Sequence, residues 1–171
     1  PLFVLGALVV PENVWLSVEA DLETALDSHF PPPREDGFEM HATDLRQGSR
    51  LFKGVPMSTR LSLRDACLIV AAKHNLKFIE KKRYQRWLEH TFGKGVTINP
   101  HLAAFPLVAQ VVNQLLKGES DSTLGIFIFD ENREVVGDVE RFQKLLRKDP
   151  GSLRLDRIIE KGFFIDSSHS L

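Results

Sequence analysis

The stretch Thr123–Asn132, TLGIFIFDEN, decides the fold that we expect for this chain. Its run of β-branched and aromatic residues predicts a buried strand, because such runs are typical of strands that lie inside a sheet. Two acidic residues, Asp130 and Glu131, come at the end of the run, just before a helical pattern. In α/β proteins, functional side chains gather where strands end and loops begin. The stretch therefore predicts both a part of the core and a candidate site.

On both sides of this stretch, strand patterns alternate with helical patterns. Apolar runs predict further strands in LFVLGALVVP (2–11), LKFIEKK (76–82) and RIIEKGFFID (157–166). Apolar residues at helical spacing predict helices over 11–30, from Ser58 or Ser62 to about His74, over 84–92, over 101–116, and along Val135, Val139, Phe142 and Leu146. Alternating strands and helices indicate an α/β fold built around one sheet.

Three local patterns give more detailed expectations. Gly6 inside the first strand predicts a bulge or a close approach of another group. Ser62 with Asp65 resembles a capping box, which predicts a helix start at that position. The run ACLIVAAK (66–73) predicts a buried helix face, and GSRLFKGVP (48–56) predicts a loop. We also expect Val4, Ile126, Phe127 and Phe129 to be buried in the sheet core.

Composition limits the class of protein. A chain of 171 residues suits one domain over residues 1–171, and its net charge of −1 provides no overall positive field for nucleic acid. The single cysteine, Cys67, excludes an internal disulfide and fits a reducing compartment, and its apolar neighbours favour a small buried thiol. No apolar run is long enough to span a bilayer, and the start shows no signal-peptide pattern. We therefore expect a cytoplasmic protein without a membrane partner.

A second candidate site lies in DGFEMHATDL, Asp36–Leu45. If Phe38–His41 is a short strand, its period of two sends Glu39 and His41 to the same face and the apolar residues to the other. Carboxylates at such positions suit magnesium or manganese, which prefer oxygen ligands. The alternatives stay open: a polar turn with a hydrogen-bonded histidine here, and simple capping of the next helix by Asp130 or Asn132.

Other catalytic motifs are absent from the sequence. No G-x-S-x-G nucleophile elbow occurs, FGKGVT (92–97) lacks the P-loop spacing, and the histidines lack zinc-ligand spacing. A basic run with interleaved aromatic residues could contact phosphates and bases, although such runs are usually solvated surfaces. It consists of Lys77, Lys81, Lys82, Arg83, Tyr84, Arg86 and Trp87.

Four segments, FVLGALVVPENVW (3–15), FEMHATDL (38–45), GIFIFDEN (125–132) and FFIDSSHSL (163–171), resemble the domain of unknown function 3800 family in order and spacing. The resemblance extends over nearly the whole chain. It implies a ribonuclease H-like mixed sheet flanked by helices and a metal-dependent nuclease activity. The family pattern also has a first strand ending Asp-Glu-Ser-Gly and a last helix with Gln-Leu-Ala-Asp, and neither occurs here. We therefore expect an internal fragment that lacks both ends.

The resemblance also implies roles for individual residues. Glu39, Asp130 and Glu131 would hold magnesium or manganese, and His41 would orient a carboxylate or contact a phosphate. Two-metal cleavage of a phosphodiester needs several such carboxylates around ions about 3.5–4 Å apart. We therefore expect the carboxyl groups of Glu39 and Asp130 to lie within about 8 Å of each other. The resemblance extends more weakly to Lys81, Asp166, Ser168 and His169. Together with Lys82 and Arg83 of the basic run, Lys81 and His169 would contact a nucleic-acid partner.

Three hypotheses remain at this point. The first is a magnesium-dependent nuclease of ribonuclease H-like fold, with Glu39, His41 and Asp130 as catalytic residues. The second is a non-catalytic module on the same fold that binds nucleic acid or a protein. The third is a hydrolase or transferase of another type that uses His41 or His169 as a base. The sequence determines neither the substrate nor the oligomeric state.

Overall fold

The computed structural model describes residues 2–34, 40–84, 90, 93, 99–130, 136–148, 151, 154–159 and 162–165. In chain order the elements are β1 (Leu2–Val9), α1 (Trp15–Asp27), α2 (Ala42–Gln47), α3 (Met57–Lys73), β2 (Lys77–Tyr84), α4 (Pro100–Glu119), β3 (Ile128–Asp130), α5 (Val136–Lys148) and β4 (Phe163–Ile165). Short 3-10 turns at Glu12–Val14 and Arg50–Phe52 precede α1 and α3. Among these residues, no helix is long and apolar enough to cross a membrane.

The chain divides into two compact units. Unit 1 contains Pro1–Val9 and Phe78–Ser167, and unit 2 contains Val10–Lys77 and Ser168–Leu171. Unit 1 combines strands with α4 and α5, whereas α1, α2 and α3 belong to unit 2. The mixed α/β class is confirmed. The described strands form two separate two-stranded sheets rather than the single sheet that we predicted, and the single domain over residues 1–171 stays a prediction.

The core of unit 1 forms around α4. Asn99 caps this helix by accepting a hydrogen bond from the backbone N–H of His101, at 3.0 Å, and Pro100 occupies the first turn, where no N–H is needed. Phe105 is 1% exposed, and its ring centroid lies 5.6 Å from that of Phe127 and 5.7 Å from that of Phe129. The other buried apolar residues of this core are Ile79, Val108, Ala109, Val112, Val139, Leu146, Leu155 and Ile158.

Strands β1 and β2 form a small antiparallel sheet that packs only one of its faces on this core. Val4, expected to be buried, is 45% exposed on the other face, because a sheet with helices on one side leaves alternate residues in solvent. A Cβ atom at Gly6 would lie 3.0 Å from the Phe78 ring, which confirms the predicted close approach.

Strands β3 and β4 form a parallel pair. Phe127, just before β3, is buried as predicted, and Phe129 packs against the core. Ile126 is 47% exposed, so its predicted burial is wrong, and the reason is again that only one face of a two-stranded sheet is covered. The strand is also shorter than the apolar run predicted, since Gly125 makes only an isolated bridge to Ile158.

A buried asparagine holds the segment that leads toward β4. Asn113 is 0% exposed on α4, and its side-chain amide donates hydrogen bonds to the carbonyl of Arg154 and to Oδ1 of Asp156, both at 3.1 Å. Its carbonyl oxygen accepts a bond from the backbone N–H of Arg157 at 2.9 Å. Because a buried polar group is costly without partners, these three bonds fix the segment on α4.

Unit 2 is held together by a small apolar core and one arginine. The buried residues of this apolar core are Leu26, Leu45, Phe52 and Leu63. The Arg60 guanidinium on α3 donates to the carbonyls of Leu45 and Arg46, at 2.6 and 2.8 Å, where α2 has carbonyls without helical partners. Gly48, with φ of +70°, ends α2 against this guanidinium.

Helix α3 confirms one of its two predicted starts and differs from its prediction on its surface. It begins at Met57 after Pro56, one residue before Ser58, whereas the capping box predicted for Ser62 and Asp65 is wrong. The run ACLIVAAK is not a buried face: Leu68 and Ile69 are 60% and 65% exposed, whereas Val70 is 7% exposed. An apolar run longer than one helical turn covers every side of a helix, so only part of it can face the core.

An acidic residue on α1 links this helix to the end of α3. Oδ2 of Asp21 lies 2.7 Å from Nζ of Lys73 and 2.6 Å from Nε2 of His74. The hydrogen bond from Lys73, followed by that from His74, lowers the pKa of Asp21 below its ordinary value of 3.8. A lowered pKa in the folded state means that the ionised carboxylate stabilises the fold.

This contact predicts how stability changes with pH. The contribution of Asp21 to the stability of the fold is complete above a pH of about 4. It is lost as the pH falls through the lowered pKa of Asp21. We expect Asp21→Asn to be less stable than the parent chain at pH 7 and equally stable near pH 2. Urea unfolding at both pH values measures this, with Glu23→Gln on the same helix as the control. A stability difference that did not shrink in acid would contradict the prediction.

Candidate functional site

The first candidate residue lies at the carboxyl end of a parallel strand pair. Asp130 is the last residue of β3 and is in register with Ile165, the last residue of β4. The strand forms here because Phe127 and Phe129 pack beside Phe105 and fix one face of β3 on α4. The carboxyl ends of parallel strands are where α/β proteins bind ligands. The predicted strand-end position of Asp130 is thus confirmed by its backbone.

The segment around His41 differs from its prediction. Met40 and His41 belong to no strand, and His41 is instead the residue before the first turn of α2, in extended conformation. Its carbonyl accepts the backbone N–H of Leu45 at 2.9 Å, and its side chain makes no capping hydrogen bond. Met40 is 41% exposed rather than turned to a core. The interpretation of this stretch as a strand is wrong for these two residues.

The third acid of that stretch has local partners. Oδ1 of Asp44 accepts a hydrogen bond from the Ser49 hydroxyl at 2.5 Å, and its Oδ2 lies 3.8 Å from Nε of Arg50. Asp44 therefore closes the turn that follows α2. These contacts lie within one turn of the chain and give Asp44 a structural role.

The first part of the basic run, from Lys77 to Tyr84, lies in strand β2. Lys81, Lys82 and the backbone of Arg83 belong to β2, not to a helix. Lys82 is exposed and its Nζ lies 2.7 Å from Oε1 of Glu80, while Lys81, one residue away, is half-buried. Because neighbouring residues of a strand point to opposite faces, the side chains of Lys81 and Lys82 extend from different faces of β2. Their contact with a nucleic acid stays a prediction.

Several predicted site residues lie outside the described part of the chain: Glu39, Glu131, Arg86, Trp87, Asp166, Ser168 and His169. His41 belongs to unit 2, and Asp130 belongs to unit 1. Among the described residues, no group of three or more His, Cys, Asp or Glu side chains is placed to hold a metal ion. The expected proximity of Glu39 and Asp130 therefore stays a prediction.

The structure also pairs two residues that the sequence did not suggest. Nε2 of His29 lies 2.9 Å from Oγ of Ser62, and Nδ1 of His29 lies 2.8 Å from the carbonyl oxygen of Ala25. If Nδ1 donates to that carbonyl, Nε2 accepts from the serine hydroxyl, which is the arrangement that activates a serine nucleophile. Ser62, however, lies inside α3, where backbone N–H groups bond within the helix and cannot stabilise an oxyanion. The pair therefore bridges α1 and α3.

A shallow cavity lies on the surface of helix α4. It has a volume of about 330 Å³ and is lined by Gln110, Val111, Gln114 and Leu115. None of the four side chains is charged, so this cavity does not suit a phosphate or a metal ion.

None of the family models, curated proteins or solved structures compared with the chain matches it.

Proposed function

We propose that this chain belongs to a metal-dependent nuclease of ribonuclease H-like fold. The observation that supports the proposal is the parallel pairing of β3 with β4, whose last residues, Asp130 and Ile165, are in register. In the sequence, Glu131 follows Asp130 and Asp166 follows Ile165, so acidic residues come after both strands. Parallel strands with acids after their carboxyl ends are an arrangement that suits divalent cations.

The proposed chemistry needs these acids as metal ligands. Asp130, Glu131 and Glu39 would hold magnesium or manganese, which would supply an activated water and neutralise the charge on the phosphate. His41 would orient a carboxylate or a phosphate oxygen, and Lys81, Lys82, Arg83 and His169 would contact the nucleic acid. The resemblance of the sequence segments to the domain of unknown function 3800 family supports the same assignment, including the two further aspartate motifs that these 171 residues lack.

A cleavage assay tests the proposal. Labelled single- and double-stranded DNA and RNA are incubated with this chain and with a chain that also carries the two family aspartate motifs, in EDTA and after addition of Mg²⁺ or Mn²⁺. We expect cleavage by the chain with both motifs only with metal, and little cleavage or metal binding by this chain, because Glu39, Asp130 and Glu131 alone make an incomplete ligand set and magnesium gives up its waters reluctantly.

The other outcomes distinguish the remaining hypotheses. Tight binding of an oligonucleotide without cleavage in any metal would indicate the non-catalytic module. Cleavage that persists in EDTA would refute the metal mechanism and favour a hydrolase that uses His41 or His169 as its base.

A further inference from the structure

The first turn of α4 lies at the end of unit 1 where β3 finishes. The ring centroid of Phe105 is 5.7 Å from that of Phe129, whereas a Cβ atom at Gly125 would lie 2.8 Å from Cδ1 of Leu116, near the other end of α4. Helix α4 and strand β3 therefore run in opposite directions. His101 is one helical turn before Phe105 on the same face, about 6 Å along the axis, which is the length of about two strand residues. It thus lies level with the residues that follow Phe129.

Strands β1 and β2 reach the same end of unit 1. The ring of Phe3, near the start of β1, lies with its centroid 5.6 Å from that of the His101 ring. Because β1 and β2 are antiparallel, the end of β2 lies beside the start of β1. Lys81 is half-buried and follows the buried Ile79 by two residues, so it extends from the face of β2 that packs on α4. The start of α4 thus meets the ends of both β2 and β3.

The side chain of His101 is polar and half-buried. In the parts of the chain that the structure describes, its nitrogens make no hydrogen bond, and the ring beside it is that of Phe3. The first turn of α4 has no acidic residue, and β1 has no ionisable side chain. Burial lowers the pKa of His101 below its ordinary value of 6.5, so the imidazole is neutral at pH 7. Polar groups away from water ordinarily have a hydrogen-bond partner, and with none among the described residues the imidazole can take one from a ligand.

We propose that His101 contacts a phosphate oxygen of the substrate, in the site that lies at the end of β3. This inference rests on the proposed function and adds to it a residue that no sequence motif indicated. Three features favour an anionic oxygen as the partner. A neutral imidazole offers an N–H donor, the amino end of α4 has the positive end of the helix dipole, and Lys81 adds a positive charge on the face of β2 that packs on α4.

Imidazole NMR spectra of this chain test the contact without any cleavage. Short single- and double-stranded oligonucleotides are added in the presence of Mg²⁺, and the pKa of each histidine is measured before and after. We expect the pKa of His101 to rise, because a phosphate beside the ring favours the imidazolium form. His29 and His74, which contact Ser62 and Asp21 in unit 2, are the internal controls and should not change. An unchanged pKa of His101, whether the oligonucleotide binds elsewhere or does not bind, would refute the proposal.

Substitutions measure the size of the contact. His101→Leu keeps an apolar side chain against Phe3 but loses both nitrogens, so the dissociation constant of the oligonucleotide should rise about tenfold, as expected for a hydrogen bond to a charged group. His101→Gln retains an N–H donor and should lose less affinity. Gln114→Leu is the matched control, because it also replaces a polar side chain by leucine, on the exposed surface of the same helix near its other end.

The outcomes separate this proposal from the nuclease function. Circular dichroism first checks that the three variants are folded. Equal affinities of the parent chain and His101→Leu would refute the contact, even if metal-dependent cleavage is found. Binding that depends on His101, without cleavage by a chain that also carries the two family aspartate motifs, would support the contact and refute the nuclease function instead.

Discussion

Under the proposed function, Asp130→Asn is expected to reduce the metal-dependent cleavage rate of a chain that carries both family aspartate motifs about 100-fold or more, because even residues that only support metal ligands contribute 10–100-fold. Asparagine has nearly the same shape as aspartate but no charge, so it neutralises a divalent cation poorly. The backbone of residue 130 ends β3, and its pairing with β4 involves only main-chain groups. The substitution should therefore leave the fold intact while it weakens the binding of Mg²⁺.

Asp121→Asn provides the matched control for this substitution. Asp121 also belongs to unit 1, and its side chain is fully exposed beside Arg157. We expect its substitution to change cleavage less than about twofold, since exposed ion pairs contribute little. Isothermal titration with Mg²⁺ separates binding from chemistry. Full activity of Asp130→Asn would remove Asp130 from the proposed ligand set.

The second large effect concerns stability. Phe105→Ala is expected to lower the free energy of unfolding by about 3–5 kcal/mol, the range observed when a buried phenylalanine is truncated. Phe105 is 1% exposed and its ring contacts both Phe127 and Phe129, so alanine would leave a cavity between α4 and β3. Urea unfolding followed by circular dichroism measures the change as a lower midpoint.

Phe78→Ala is the control for Phe105→Ala. Phe78 is 65% exposed on β2, and its ring covers Gly6 rather than filling the core. Its truncation should cost about 1 kcal/mol or less, as is usual for surface positions. Equal losses for the two variants would mean that the core of unit 1 does not depend on the packing of Phe105.

The sequence predicted the elements whose local pattern and tertiary role agree. α4 was predicted over 101–116 and extends over Pro100–Glu119, because its apolar residues at helical spacing all meet a core and Asn99 caps its start. β1 and β2 were predicted for the same reason, since their alternate residues pack on α4. α5 was also predicted: Val139 and Leu146 of its apolar stripe are buried, and Arg147 and Lys148 occupy its last turn.

Predictions failed where hydrophobicity was the only indication of which helix face is buried. In ACLIVAAK, Leu68, Ile69 and Val70 are equally apolar, and only the positions of α1 and α2 decide that Val70 is the buried one. Of the two predicted starts of α3, Ser58 lies next to the observed start at Met57, whereas the capping-box start at Ser62 is wrong because Ser62 and Asp65 lie inside the helix.

The candidate site was predicted in part. The apolar run before Asp130 is a local pattern that predicts a strand ending at this residue. In the structure, β3 ends at Asp130. His41 was misplaced because the strand interpretation depended on a short alternation, Phe38–His41, whereas the start of α2 controls its backbone. The contacts of His29 with Ser62 and of Asp21 with His74 join residues far apart in sequence, so no local pattern predicts them.

The division into two units has a consequence for biosynthesis. Apart from its last residues, unit 2 is one continuous segment, whereas unit 1 begins with β1 and resumes only at Phe78. The apolar face of β1 packs on α4, which leaves the ribosome roughly 100 residues later, about 5–20 s at ordinary rates of synthesis. Throughout that interval the nascent β1 has no native surface to cover it. Strand β1 is thus made well before the helix that buries it, so its apolar face is accessible to chaperones during translation.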